Sequence, residues 1–229
     1  MAKVYAIILA GGKGLRLNRE TPKQFLPLGG RPVIAWSIRT CDSIEEIDHI
    51  LVVIPNEFIP RAEEIVAKHG IRKVTGILPG GETRQESARN ALQSRPFDDS
   101  DILLFHDAAR PFIKTGIIQN CIGAVRRYGA AAVYVPVQDT ITEIQEGFAV
   151  SVPPRERLYA AQTPQAFLYS VINKAHVHAA GTGFTATDDV SLALNAGFKA
   201  RMVGGDNMNF KITTDADYRN ACMVAENIK

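Results

Sequence analysis

Between residues 9 and 24 the chain reads Leu-Ala-Gly-Gly-Lys-Gly-Leu-Arg-Leu-Asn-Arg-Glu-Thr-Pro-Lys-Gln. Glycines at 11, 12 and 14 let backbone N–H groups approach an anion with no Cβ in the way. Lys13, Arg16 and Lys23 add cations within a short reach. Together they suit the binding of a polyphosphate and the stabilisation of charge that develops on it. Three further segments combine glycines or small residues with charge: Gly80-Gly81-Glu82-Thr83-Arg84-Gln85-Glu86-Ser87, His106-Asp107-Ala108-Ala109-Arg110-Pro111 and Asn209-Phe210-Lys211-Ile212-Thr213.

Two common glycine loops are excluded. A Walker A loop requires Ser or Thr after its lysine, and Lys13 is followed by Gly14. A dinucleotide fingerprint requires a third glycine where Leu17 stands. No Ser-His-Asp or Cys-His nucleophile stands out. Cys41, Cys121 and Cys222 are odd in number and far apart, without metal-ligand spacing, so they read as small apolar packing residues. His176 and His178 face opposite sides of one helix and make no metal pair. Each motif also has a plainer reading. The glycine loop could be a simple strand-to-loop connection, Asp107 and Arg110 a structural ion pair, and Lys211 a solvated lysine. His106 reads as a packed residue rather than a base.

The elements that carry these segments follow from periodicity. Apolar runs at Val4–Leu9, Ile50–Ile54, Val74–Leu78, Ile102–Phe105 and Ala131–Val135 read as strands buried on both faces. Helices alternate with them: one opened by Pro32, one capped by Asn56 and closed by Gly70, one after Thr83 and one over 117–128. The expected fold class is α/β, a mostly parallel Rossmann-like sheet with helices on both faces. Ligands bind beyond the carboxyl ends of such strands, where the charged segments fall. From Thr140 to Val152 polar and apolar residues alternate around a Glu146-Gly147 turn, which reads as an exposed β-hairpin. A hairpin projecting from the body is marginal alone and suggests a second copy of the chain as its partner. Beyond it the pattern gives a helix at 166–178, another from Asp188, strands at 198–203 and 209–212, and a last helix from Asp215.

With 229 residues, 46% hydrophobic and 22% charged, the chain has material for one large globular domain, 1–229, with a β-arm at about 138–157. A net charge of +2 excludes a broad field for nucleic acid or membrane, so anion binding must come from local cations. No signal-peptide pattern and no membrane-length apolar run occur, and the expected location is the cytoplasm.

Taken together, the segments resemble the polyol-phosphate cytidylyltransferases, and within them the methylerythritol phosphate branch of the non-mevalonate isoprenoid pathway. The matching residues are Leu9 to Arg16, Pro22 to Phe25, Gly80 to Arg84 with Ser87, His106 to Pro111, Asp139-Thr140, Arg155, Gln162 to Gln165, Thr187 to Asp189 and Asn209 to Thr213. The resemblance implies transfer of CMP from CTP to a polyol phosphate. It implies catalytic roles for Arg16, Lys23, Arg155 and Lys211. It places Ala10, Gly11, Gly12, Gly81, Glu82, Ser87 and Ala108 around CTP, and Asp107, Arg110, Thr140 and Thr163 around the acceptor. Mg²⁺ would be held mainly by the CTP phosphates, with no protein metal site. The arm would cross to a second subunit in a homodimer. Ala108-Ala109, rather than Ser-Val, favours methylerythritol phosphate over ribitol 5-phosphate as acceptor. A non-catalytic nucleotide-binding regulator on the same fold is the remote alternative.

Overall fold

The computed structural model describes residues 2–12 and 21–228. Strand β1 (Val4–Leu9) is apolar throughout and buried along its whole length. A short ribbon of β2 (Pro27–Leu28) and β3 (Arg31–Pro32) leads into α1 (Val33–Asp42). Strand β4 (His49–Ile54), helix α2 (Ile59–Lys68), strand β5 (Val74–Pro79) and helix α3 (Arg84–Gln93) follow. Then come β6 (Ile102–Asp107), α4 (Thr115–Tyr128) and β7 (Ala130–Pro136). The arm is β8 (Glu143–Gln145) and β9 (Phe148–Ser151). Strand β10 (Tyr159–Leu168), helices α5 (Tyr169–Thr182) and α6 (Asp189–Asn195), strand β11 (Arg201–Gly204) and helix α7 (Asp215–Asn227) complete the chain.

The main sheet has the order β11-β7-β10-β6-β1-β4-β5. Only β10 runs antiparallel to its neighbours, β6 and β7. Alternation along the strands divides two apolar layers. On one face Ala6, Ile8, Val52 and Leu104 pack against α1, α2 and α4 through Ile34, Ile38, Ala62, Ile118 and Val125. On the other, Ile7, Val53, Phe105 and Phe167 pack against α3, α5 and α6 through Ala88, Leu92, Ile172 and Leu192. A smaller third layer sets α7 against Leu28, Val33, Phe112 and Ile212. That layer holds the chain just after residue 208 close to the sheet.

The α/β class and the mostly parallel sheet match the sequence reading, and several elements differ from it. The segment 166–178 is not one helix: Gln165, Ala166 and Phe167 pair with both β6 and β7, and α5 begins only at Tyr169. A short apolar run buried on both faces looks alike as strand or helix, and here two neighbouring strands supply its hydrogen bonds. The run Val74–Leu78 is a strand, but at the sheet edge and only partly buried. Asn56 does not cap α2; it opens a 3₁₀ turn, and α2 starts at Ile59 with a proline in its first turn and no side-chain cap. Strand β11 covers Arg201–Gly204, while Phe198 closes the end of α6 by donating its N–H to the Ala193 carbonyl. Residues 209–212 form no strand. Their alternation serves two environments instead, with Ile212 in the third core layer and Lys211 in the pocket described below.

The expected hairpin is present. Glu146 and Gly147 both take positive φ, +52° and +86°, which suits a two-residue turn matched to strand twist. Its apolar side chains are bare: Ile144 is 60% exposed and Phe148 75%.

Candidate active site

A cleft of about 530 Å³ opens at the carboxyl ends of β1, β4, β5 and β6. Ala10, Gly11 and Gly12 continue β1; Pro55, Asn56 and Glu57 follow β4. Gly80 to Arg84 with Ser87 follow β5, and Asp107, Ala108 and Ala109 end β6. Lys23, Gln24 and Lys211 enter from outside the sheet.

Local bonding explains how these groups are held. The loop after β5 is locked by a capping box at the start of α3. The Thr83 hydroxyl accepts from the Glu86 N–H, and Glu86 Oε2 accepts from the N–H groups of Glu82 and Thr83 at 2.7 and 3.1 Å. Ser87 Oγ accepts from the Gly81 N–H at 3.0 Å and donates to the Thr83 carbonyl at 2.9 Å. Lys23 lies in a 3₁₀ turn whose next residues, Gln24 and Phe25, are buried. Its Nζ donates to the Ile212 carbonyl at 3.1 Å, and its stem passes against Gly12, where a Cβ would lie 3.5 Å from Lys23 Cε.

Asp107 is the centre of charge. Its Oδ2 accepts from Lys211 Nζ at 2.7 Å and its Oδ1 from Arg84 Nε at 3.3 Å. Burial alone would raise the Asp107 carboxyl, but Arg84 and then Lys211 hold it well below the usual carboxylate range. Arg84 also donates from Nη1 to Asp189 Oδ2 at 2.7 Å. Burial acts to lower the guanidinium, and Asp189 and Asp107 together outweigh it.

Behind Asp107 the Thr163 hydroxyl accepts from its backbone N–H at 3.1 Å and meets His106 Nδ1 at 3.0 Å. His106 Nε2 faces the Arg110 carbonyl at 3.1 Å. A carbonyl only accepts, so the proton belongs on Nε2, and Nδ1 takes the hydroxyl proton of Thr163. Burial pushes His106 down to about 4. The unfolded chain therefore binds more protons than the folded one between about 4 and 6.5. Conformational stability is full above that window and falls as pH drops through it, by roughly 3 kcal/mol for this residue alone. An NMR titration should show His106 neutral at pH 5, in the Nε2–H form; a midpoint near 6.5 would contradict the enclosed ring.

The cleft gathers Ala10, Gly11, Gly12, Lys23, Gly81, Glu82, Ser87, Asp107, Ala108 and Lys211. Arg16, with Lys13 and Gly14, lies outside the described residues. Thr163 and Arg110 are not in the lining. The first is spent on His106 and Asp107, and the second donates to the backbone carbonyls of Asn209 at 2.8 Å and Ala161 at 3.4 Å. Arg110 makes no direct ion pair with Asp107, whose oxygens are taken by Arg84 and Lys211. Thr140 and Arg155 are exposed on the arm, away from the lining. Sequence reasoning gave Asn56 only a helix-capping role and Glu57 none, although the strand-end rule covers β4 as well as its neighbours. Nor did it give Arg84 a role, because Asp189, its partner, is 105 residues away.

No group of three or more His, Cys, Asp or Glu that could hold a metal ion occurs among the described residues. No helix among them is long and apolar enough to cross a membrane.

The family model of IspD, 2-C-methyl-D-erythritol 4-phosphate cytidylyltransferase, matches residues 4–227. A protein of that name from Syntrophotalea carbinolica is 41% identical over 215 residues, covering 93% of this chain and 92% of its own. Another from Clostridium novyi is 39% identical over 231 residues, covering 100% and 99%. Among solved structures, 4-diphosphocytidyl-2C-methyl-D-erythritol synthase from Anaerococcus prevotii superposes with a TM-score of 0.85 at 28% identity, covering 98% of this chain and 96% of its own. The 2-C-methyl-D-erythritol 4-phosphate cytidylyltransferase of Thermus thermophilus gives 0.79 at 30%, covering 98% and 99%. With the family model spanning nearly the whole sequence and the cleft gathering Gly11, Gly12, Lys23, Lys211 and Asp107, the chain belongs to the 2-C-methyl-D-erythritol 4-phosphate cytidylyltransferase family.

Proposed function

We propose that the enzyme transfers CMP from CTP to 2-C-methyl-D-erythritol 4-phosphate, releasing pyrophosphate and giving 4-diphosphocytidyl-2-C-methyl-D-erythritol, a step of isoprenoid precursor synthesis. The observation that carries this reading is one cleft with two chemically different halves. Glycine backbone and Lys23 stand at one side, and an ionised carboxylate, Asp107, stands between two cations at the other.

The acceptor is a phosphate monoester whose second pKa is about 6, so at pH 7 it is largely a dianion. One of its oxygens forms the new bond to the α-phosphorus of CTP while the bond to the departing pyrophosphate breaks. No general base is needed. The protein's contribution is in-line positioning and neutralisation of charge on the phosphoryl oxygens. In this reading Ala10, Gly11, Gly12, Gly81, Glu82, Ser87 and Ala108 hold the nucleotide. Arg16 and Lys23 neutralise its phosphates. Asp107 accepts hydrogen bonds from acceptor hydroxyls, and Lys211 draws the acceptor phosphate toward the reacting centre. Arg110 and Thr163 belong to this half through the backbone and Asp107 contacts already described.

Mg²⁺ fits such a site as a passenger of the triphosphate. It prefers phosphate and water oxygens, and among the described residues no cluster of carboxylates competes for it. When bound it would supply positive charge that offsets the negative charge of the triphosphate.

The chain would act as one nucleotidyltransferase domain, 1–229, with its arm at about 138–157, in the cytoplasm and as a homodimer. The support for the dimer is the arm itself, a two-stranded ribbon whose Ile144, Phe148 and Val150, with Val152 just beyond it, are all more than half exposed. Thr140 and Arg155 flank it and would complete the partner's acceptor site. Replacing Phe148 and Ile144 by Asp should convert a dimer to a monomer in sedimentation; a wild-type monomer would contradict the arm exchange.

The reaction is tested by pyrophosphate release from CTP, UTP, ATP and GTP with methylerythritol phosphate or ribitol 5-phosphate. The expected result is turnover with CTP and methylerythritol phosphate. Faster turnover with ribitol 5-phosphate would overturn the acceptor, and CTP binding without turnover would overturn catalysis.

A further inference from the structure

Asp189 is outside the cleft lining, yet it is wholly buried and spends a carboxylate there. Burying such a group is costly unless it is paired. Its pair is Arg84, whose guanidinium is divided: Nη1 goes to Asp189 Oδ2 at 2.7 Å and Nε to Asp107 Oδ1 at 3.3 Å. Lys211 takes the other oxygen of Asp107. Charge therefore alternates from Lys211 through Asp107 and Arg84 to Asp189, out of the cleft and into the first turn of α6.

The inner end of this row is fixed to the sheet. Gln165 Oε1 accepts from the N–H groups of Asp189 and Val190 at 2.9 and 3.1 Å. Gln165 Nε2 donates to Asp188 Oδ2 at 2.8 Å. Gln165 itself pairs with Phe105 on β6, two residues before Asp107. The strand that carries Asp107 and the helix that carries Asp189 thus share one anchor. Without the Asp189 carboxylate, Arg84 could close on Asp107 with two parallel donors and rotate its carboxylate plane. With it, Arg84 contributes only Nε.

We infer that Asp189 is a positioning residue for the acceptor half of the site, acting through Arg84 to set the plane of the Asp107 carboxylate. The inference rests on the proposed role of Asp107 toward the acceptor. That role is tested first and separately: Asp107→Asn should raise KM for methylerythritol phosphate, and an unchanged KM would overturn the role itself.

Asp189→Asn, nearly isosteric, should raise KM for methylerythritol phosphate about 10-fold, with KM for CTP and kcat within about threefold. Arg84→Lys should do the same, because one ammonium cannot span two carboxylates. In the Asp107→Asn background, Asp189→Asn should add little further loss. A wild-type acceptor KM in Asp189→Asn, equal rises for both substrates, or full additivity with Asp107→Asn would each overturn the inference. Should Asp189→Asn prove insoluble, Arg84→Lys decides by the same three readouts.

Discussion

Lys23→Ala should lower kcat by about 10²–10³ at saturating substrates while leaving the fold intact, because it removes one donor aimed at charge that grows during transfer. The side chain is placed from three directions. The 3₁₀ turn that carries it is pinned by buried Phe25, whose ring packs edge-on against Phe58 at 5.3 Å between centroids. The stem runs along Gly12, and the Ile212 carbonyl holds Nζ at 3.1 Å. Truncation removes only contacts made by the lysine side chain itself and leaves the turn pinned by Phe25, so the melting temperature should move little. Lys23→Met keeps the stem against Gly12 and discriminates between packing and charge; it should lose as much as Lys23→Ala. Initial rates of pyrophosphate release with both substrates saturating provide the check. Near-normal turnover in either variant would remove Lys23 from the chemistry.

The glycine loop at residues 9–24 suggested phosphate binding because its chemistry is local: glycines next to cations after a buried strand. The helix after Thr83 is legible for the same reason, although its capping box with Glu86 came only with the structure. The hairpin also announces itself through alternation and a Glu-Gly turn. What escaped the sequence reading depends on distant partners. Strand β10 is defined by β6 and β7 on either side, and its apolar run at 166–168 has no periodicity to separate strand from helix. Residues 209–212 alternate like a strand, but the Asn209 side chain is tied to Gln162 and the Thr163 carbonyl, and the Ile212 N–H to the Ala109 carbonyl, so the segment bends across the site instead of joining the sheet. The same holds for charge. Asp107 and Arg110 are close in sequence and look like a pair, yet the partners of Asp107 are Arg84 and Lys211, brought from 23 and 104 residues away.

Gly81→Ala should cost about 10²-fold in kcat/KM for CTP, the largest effect expected from adding a single methyl group. A Cβ built on Gly81 would lie 2.3 Å from the Cβ of Glu86 and 3.2 Å from its carbonyl carbon. Neither is the loose end of a side chain, so relief requires the loop and the start of α3 to separate. Three contacts fail together when they do. Gly81 loses its N–H bond to Ser87 Oγ, and Glu86 Oε2 moves from the N–H groups of Glu82 and Thr83. The methyl adds overpacking of about 1–3 kcal/mol, and loss of the cap adds about 1 kcal/mol, so the melting temperature should fall as well. The kinetic loss exceeds what stability alone predicts, because a displacement near 1 Å at a positioning loop already costs about 10²-fold. Gly30→Ala is the contrasting change. Gly30 has φ of +81° and open space around it, so its alanine variant is strained without meeting a neighbour and lies outside the cleft lining. It should lower stability and leave KM for CTP unchanged. Measured side by side, equal kcat/KM values for CTP in the two variants would show that the Gly81 loop does not shape the nucleotide site.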